Sequence, residues 1–179
     1  MIGRPPPEKF TSSAKPPLRR CGFTLVELLI VIMIMAIAAA VAMPMLGETD
    51  STRLTSAARL LVADLDFAKM ESITHADDPR VVVFDQGTHS YHIAASSAPS
   101  TPITNIIANQ PYTVQFGTGR AAKLTGVTIQ SYSLDGDNQL EFGSFGQLDQ
   151  ATTATITLQA GSATVTVQID PISGEALVN

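Results

Sequence analysis

The sequence has a single cysteine, Cys21, in 179 residues, so no internal disulfide can staple it. Its fold must rest on core packing, even in an oxidising compartment. It has only three histidines, His75, His89 and His92, and they lack metal-site spacing. His89 and His92 are three apart in an expected hairpin, which sets them on opposite faces. No nucleophile–base pair and no phosphate loop stands out, so neither catalysis nor a cofactor is expected. The run Asp135-Gly136-Asp137-Asn138 invites a calcium reading, but the twelfth position of that count is Gly146, where a calcium loop carries glutamate. It is expected to be a hairpin turn, and no metal is expected.

Hydrophobic residues make up 45% of the chain, yet much of that share lies in one run, Phe23 to Met43. Beyond Phe23 the run is Leu, Ile, Val, Met and Ala, with one threonine and one carboxylate, Glu27. As a helix it would be roughly 30 Å long, the thickness of a bilayer's hydrocarbon core. A charge at mid-membrane costs about 2.5–3.5 kcal/mol even on a gentle scale, which makes Glu27 a functional candidate. Arg4, Lys9, Lys15, Arg19 and Arg20 precede the run against Glu8 alone, which argues for a cytoplasmic N-terminus. An ordinary secretory signal fits less well, because the run is too long for its apolar region and contains Glu27. Arg19-Arg20 as a twin-arginine signal, or Cys21 as a lipidated cysteine, fits worse still.

Gly22-Phe23-Thr24-Leu25-Val26-Glu27 resembles the class III signal of type IV pilins and type II secretion pseudopilins. The resemblance implies that a prepilin peptidase cuts between Gly22 and Phe23 and methylates the new amine on Phe23. It also implies that Glu27 pairs with the amine of a neighbouring subunit during assembly. Pro44 matches the proline that commonly ends the membrane part, and it is expected to kink the helix. Formal net charge is −5, from 11 basic and 16 acidic residues. Loss of the leader would remove five bases and one acid, leaving 6 basic and 15 acidic residues, or −9.

Four segments are expected: a basic leader, removed, over 1–22; a transmembrane and assembly helix over 23–43; an amphipathic helix over 44–76, with Asp50 or Ser51 as a cap if the helix resumes after Pro44; and a periplasmic β domain over 77–179. Leu54, Ala57, Ala58, Leu61, Leu65, Ala68 and Ser72 recur at helical spacing and predict the face laid on the β domain. Asp64, Asp66, Lys69 and Glu71 are expected largely off that face. After Pro79 the period becomes two. Strands are expected at 80–84, 90–94, 112–116, 127–134, 140–142, 153–158, 164–169 and 175–178, with 95–111 a long loop. The fold class is α+β: a long helix packed on an antiparallel β-sandwich-like domain.

Leu60 to Lys69, Val81 to Phe84 and Phe142 to Leu148 resemble the GspH/FimT-type minor pseudopilins. This implies a structural subunit of a type II secretion pseudopilus in the inner membrane. Its expected partners are prepilin peptidase, other pseudopilins and the inner-membrane assembly platform. The alternative is a FimT-like minor pilin for pilus assembly or DNA uptake. DNA binding needs clustered bases, and beyond the leader Arg120 and Lys123 form only a small pair.

Overall fold

The structure, a computed structural model, describes residues 24–105 and 108–179, with only the backbone for 40–49. The leader 1–22, including Gly22, and Phe23 after it lie outside the described residues. Helix α1 runs from Leu25 to Thr74. Thr24 caps it: its hydroxyl accepts the Glu27 N–H at 3.2 Å and its carbonyl the Leu28 N–H at 3.1 Å. The helical backbone continues through Pro44 and Gly47, so no second start is capped at Asp50 or Ser51. Proline removes one donor from the ladder while the neighbouring bonds remain available to carry the helix on.

The chain forms two compact units, Met1–Val41 and Ala42–Asn179. In the first, every described side chain of Leu25–Ala39 is exposed, from Val31 at 45% to Leu25 at 79% among the large apolar ones. These 15 residues make roughly 22 Å of helix. Among the described residues, no helix is long and apolar enough to cross a membrane.

The second unit holds two four-stranded antiparallel sheets. One has the order β5-β2-β1-β7, built from Thr113–Gln115, Ser90–Ala95, Arg80–Asp85 and Gln139–Glu141. The other has the order β10-β9-β8-β6, from Ala176–Val178, Ala163–Ile169, Ala154–Ala160 and Val127–Ser133. A two-residue ladder, β3 (Thr104–Asn105) with β4 (Gln110–Pro111), lies inside the segment expected to be a loop. Such short pairs carry no alternating pattern for a sequence reading to detect.

The helix face predicted from spacing is the buried one. Leu54, Ala57, Ala58, Leu61, Leu65, Ala68 and Ser72 are all at most 3% exposed. Leu54 through Ala68 share one core with Val82, Phe84 and Ile93 of the first sheet and Ile129, Ile156 and Leu158 of the second. Ser72 joins helix end to strand start, donating to the Ala68 carbonyl at 3.0 Å and accepting the Arg80 N–H at 2.8 Å. The β8–β9 hairpin turns at Gly161 (φ 58), in register Ala160↔Ala163.

Two expectations about turns fail. Asp135–Asn138 is a turn, but not a hairpin turn. The β6 strand before it belongs to one sheet and β7 after it to the other. Turn chemistry sets the reversal, whereas the pairing partner is chosen by distant contacts: β7 pairs β1 with Leu140 opposite Val82. His89 is not on a strand face at all. It sits in the β1–β2 turn with φ 50, and only His92 lies on β2.

Candidate functional site

Two constellations carry candidate chemistry. The first is the N-terminal motif, of which Thr24 and Glu27 are described. Glu27 is the third helical residue, where the unpaired N–H groups and the macrodipole favour an anion. Thr24-Leu25-Val26-Glu27 is also a capping-box pattern, and its threonine half is formed. That signal was legible in the sequence beside the class III signal. The Glu27 side chain is exposed and makes no ion pair among the described residues.

The second constellation was not expected. Asp64 is 2% exposed and stands at the edge of the buried helix face. It accepts the Tyr91 hydroxyl at 2.6 Å on Oδ2 and the Tyr112 hydroxyl at 2.9 Å on Oδ1. The Arg120 guanidinium, from the 3-10 turn Gly119–Ala121, pairs with the same Oδ1. Burial, then the Asp64 charge, pushes the Tyr91 phenol well above its ordinary range. Tyr112 is raised too, burial first. Both phenols therefore stay protonated donors. Tyr112 stacks on Phe67 with ring centroids 5.1 Å apart, and Arg120 lies over the Tyr112 ring at 5.1 Å. Here α1, β2, the residue before β5 and the 3-10 turn meet around one carboxylate whose two oxygens are both occupied. Chemically this is a lock of helix on sheet. Arg120, which with Lys123 makes the small basic pair beyond the leader, is committed to it.

The spacing Ala57, Leu61, Asp64, Ala68 is itself 4-3-4, so a signal for Asp64 existed. Its polarity outvoted its position. Lys69 was likewise expected off the packed face. Its Nζ donates to the Ser173 carbonyl at 2.6 Å, and its stem passes over Gly146. A Cβ on Gly146 would stand 2.9 Å from Lys69 Cε, and its φ of 81° suits glycine alone.

An open groove of about 670 Å³ lies over β1, β7 and Tyr132. Its polar groups are largely used locally: His92 Nε2 meets the Pro99 carbonyl at 2.8 Å, and the Asn138 amide donates to the Phe84 carbonyl at 2.9 Å. The Asp85 carboxyl is held below its ordinary range by the Thr88 hydroxyl and the Thr88 and Gly87 N–H groups. Among the described residues, no three His, Cys, Asp or Glu side chains are placed to hold a metal.

Residues 17–43 match the family described as "Prokaryotic N-terminal methylation motif". No curated protein matches the chain. Two solved structures of the type IV minor pilin FimU of Pseudomonas aeruginosa, in different crystal forms, are similar to it. One is 17% identical with a TM-score of 0.50, covering 70% of this chain and 92% of that one. The other is 16% identical with a TM-score of 0.51, covering 73% and 90%. At this identity the likeness speaks for the fold. The chain therefore joins a prokaryotic N-terminal methylation motif to a type IV pilin-like fold, a long helix packed on antiparallel sheets.

Proposed function

We propose that this chain is a structural subunit of a pilin-like fibre, cut between Gly22 and Phe23 and methylated on Phe23. The observation that carries the proposal is the joining of that motif to a helix whose Leu25–Ala39 side chains are all exposed. A naked apolar helix with one carboxylate in its first turn needs either lipid or other helices. Lipid before assembly and neighbouring helices afterwards meet both needs. In this reading the leader stays cytoplasmic, 23–43 anchors the chain in the inner membrane, and the β domain lies in the periplasm. Partners are prepilin peptidase, other pilin-like subunits and the assembly platform.

Within that class, the motif and the GspH/FimT-type resemblance support a minor pseudopilin of a type II secretion system. The FimU likeness favours a second reading, a minor pilin in type IV pilus assembly. DNA uptake is the weakest form of it, because the part beyond the leader is acidic and Arg120 is tied to Asp64.

Processing tests the proposal. Gly22→Val should leave a precursor in the membrane, since the residue at the cut must be small. Intact mass of the wild-type chain should begin at Phe23; any other start sinks the reading. Glu27→Leu separates anchoring from assembly. A carboxylate closed into a fibre without a cationic partner costs several kcal/mol, so each subunit would dock where amine meets carboxylate. The variant should be inserted and cleaved normally, yet co-purify with its fibre partners about tenfold less or worse, since ~1.4 kcal/mol is a factor of ten. Undiminished co-purification would show the charge pair to be dispensable.

A further inference from the structure

The two four-stranded sheets have four edges between them, and a sheet edge offers unpaired backbone groups that can capture another strand. Three of these edges are guarded. On β5 the Gln115 carbonyl accepts the Thr118 N–H at 3.1 Å and the Thr118 hydroxyl at 3.2 Å. On β7 the Glu141 carbonyl accepts the Asp149 N–H at 3.2 Å, and the Gln139 N–H donates to Asp137 Oδ1 at 2.8 Å. On β6 the register shifts at Gln130, whose carbonyl accepts the Gln86 amide. The fourth edge, β10, is different. Asn179 and Thr166 exchange both backbone bonds, at 2.8 and 3.1 Å. Antiparallel pairs alternate, so Leu177 bonds Gln168 in the same way, while Ala176 and Val178 turn their N–H and C=O away from β9. Among the described residues nothing bonds to those outward groups.

The side chains of β10 say what kind of strand would fit. Leu177 is 58% and Val178 43% exposed, so both faces of the edge are apolar and open. Strand alternation sets Glu175 and Leu177 on one face and Val178 on the other. On the Leu177 face lies a groove of about 350 Å³, lined by Thr153, Gln168, Asp170, Ser173, Glu175 and Leu177. It holds two carboxylates and no base. The Ser173 N–H, the Ser173 hydroxyl and the Ile172 N–H hold the Asp170 carboxyl below its ordinary range. A strand laid along β10 would set alternate side chains beside that groove and beside Val178. Bases suit the first position by charge, and apolar residues suit the second. A second copy of β10 is a poorer occupant, because its Glu175–Asn179 segment has no base and brings a further carboxylate.

We propose that β10 is a docking edge for an extended segment of another protein, one that alternates apolar and basic residues and pairs antiparallel with β10. The site lies in the β domain and does not rest on the fibre-subunit reading. The test uses the full-length chain in neutral detergent micelles and a hexapeptide alternating valine and lysine. In the added strand the valines would lie on the Val178 face and exchange their backbone bonds with β10. N-methylation of the valines should therefore weaken binding about tenfold or more, whereas N-methylation of the lysines should not. The bound peptide should slow amide exchange at Val178 about tenfold, with little change at Leu177, which already donates to β9. Val178→Pro should abolish binding while the domain still melts close to wild type, because the lost N–H makes no bond to β9. The N-methylated peptides keep the test independent of how that variant folds. The contact is overturned by a valine–lysine peptide that leaves Val178 exchange unchanged, by equal binding of the two N-methylated forms, or by a valine–glutamate peptide that binds as well. Protection of Val178 that rises with protein concentration in the absence of peptide would assign the edge to a second copy, and overturns the proposal too.

Discussion

Leu61→Asp is expected to unfold the globular domain, or to lower its stability by at least about 4 kcal/mol. Leu61 is 1% exposed and sits mid-face on α1, in the core that both sheets share. Emptying such a site of its side chain alone costs about 2–5 kcal/mol. The aspartate adds a charge with no cationic partner planned for it, in a domain whose whole stability is on the order of 5–15 kcal/mol. Thermal or urea melting of residues 49–179 checks this, because among the described residues no core residue precedes Leu54. Leu61→Ala should fall between wild type and Leu61→Asp. A Leu61→Asp domain that melts like wild type would mean that α1 does not pack on the sheets as described.

The second large effect concerns the carboxylate that is already buried. Arg120→Leu should destabilise the domain by about 2–4 kcal/mol, because it takes the cationic partner from a buried carboxyl and leaves it two phenol donors. The figure is kept below that of a sealed pair because the Arg120 side chain is 38% exposed and partly screened. Asp64→Leu should cost less, since Arg120 can turn to water, although the Tyr91 and Tyr112 hydroxyls then lose their acceptor. Asp64→Leu with Arg120→Leu and Tyr91→Phe together should recover part of the loss, because of the buried polar groups only the Tyr112 hydroxyl is then left without its acceptor. Urea melts of the single, double and triple variants measure the coupling. Strict additivity would show that the three side chains do not act as one network.

The class of fold was largely legible before any coordinates. The buried stripe from Leu54 to Ser72 announced itself by spacing, and the longer strands by threonines alternating with Val, Ile and Leu. Strand ends moved by a residue or two: the expected 153–158 is Ala154–Ala160, and 112–116 shortens to Thr113–Gln115. The candidate site was legible only in part. The motif that holds Gly22, Phe23 and Glu27 is contiguous and needs no folding to be recognised. The Asp64 lock did not, because its members lie at 64, 91, 112 and 120 and meet only when helix, sheet and turn are assembled.

The sequence by itself determined the apolar helix with its single carboxylate, the acidic chain beyond the leader, the helix face that must be covered, and the absence of any internal disulfide. Each is a property of neighbours along the chain, set by composition and by the 3.6- and 2-residue periods. Only the tertiary structure decided which strands share a sheet, so that the turn at Asp135–Asn138 crosses between sheets. It also decided that Asp64 is a buried acceptor and that β10 is left with an open edge. The reason is physical. Whether a carboxylate is solvated or locked, and whether a strand is flanked on one side or on both, depends on what distant segments bring to it. Local pattern records only where a side chain points relative to its own helix or strand.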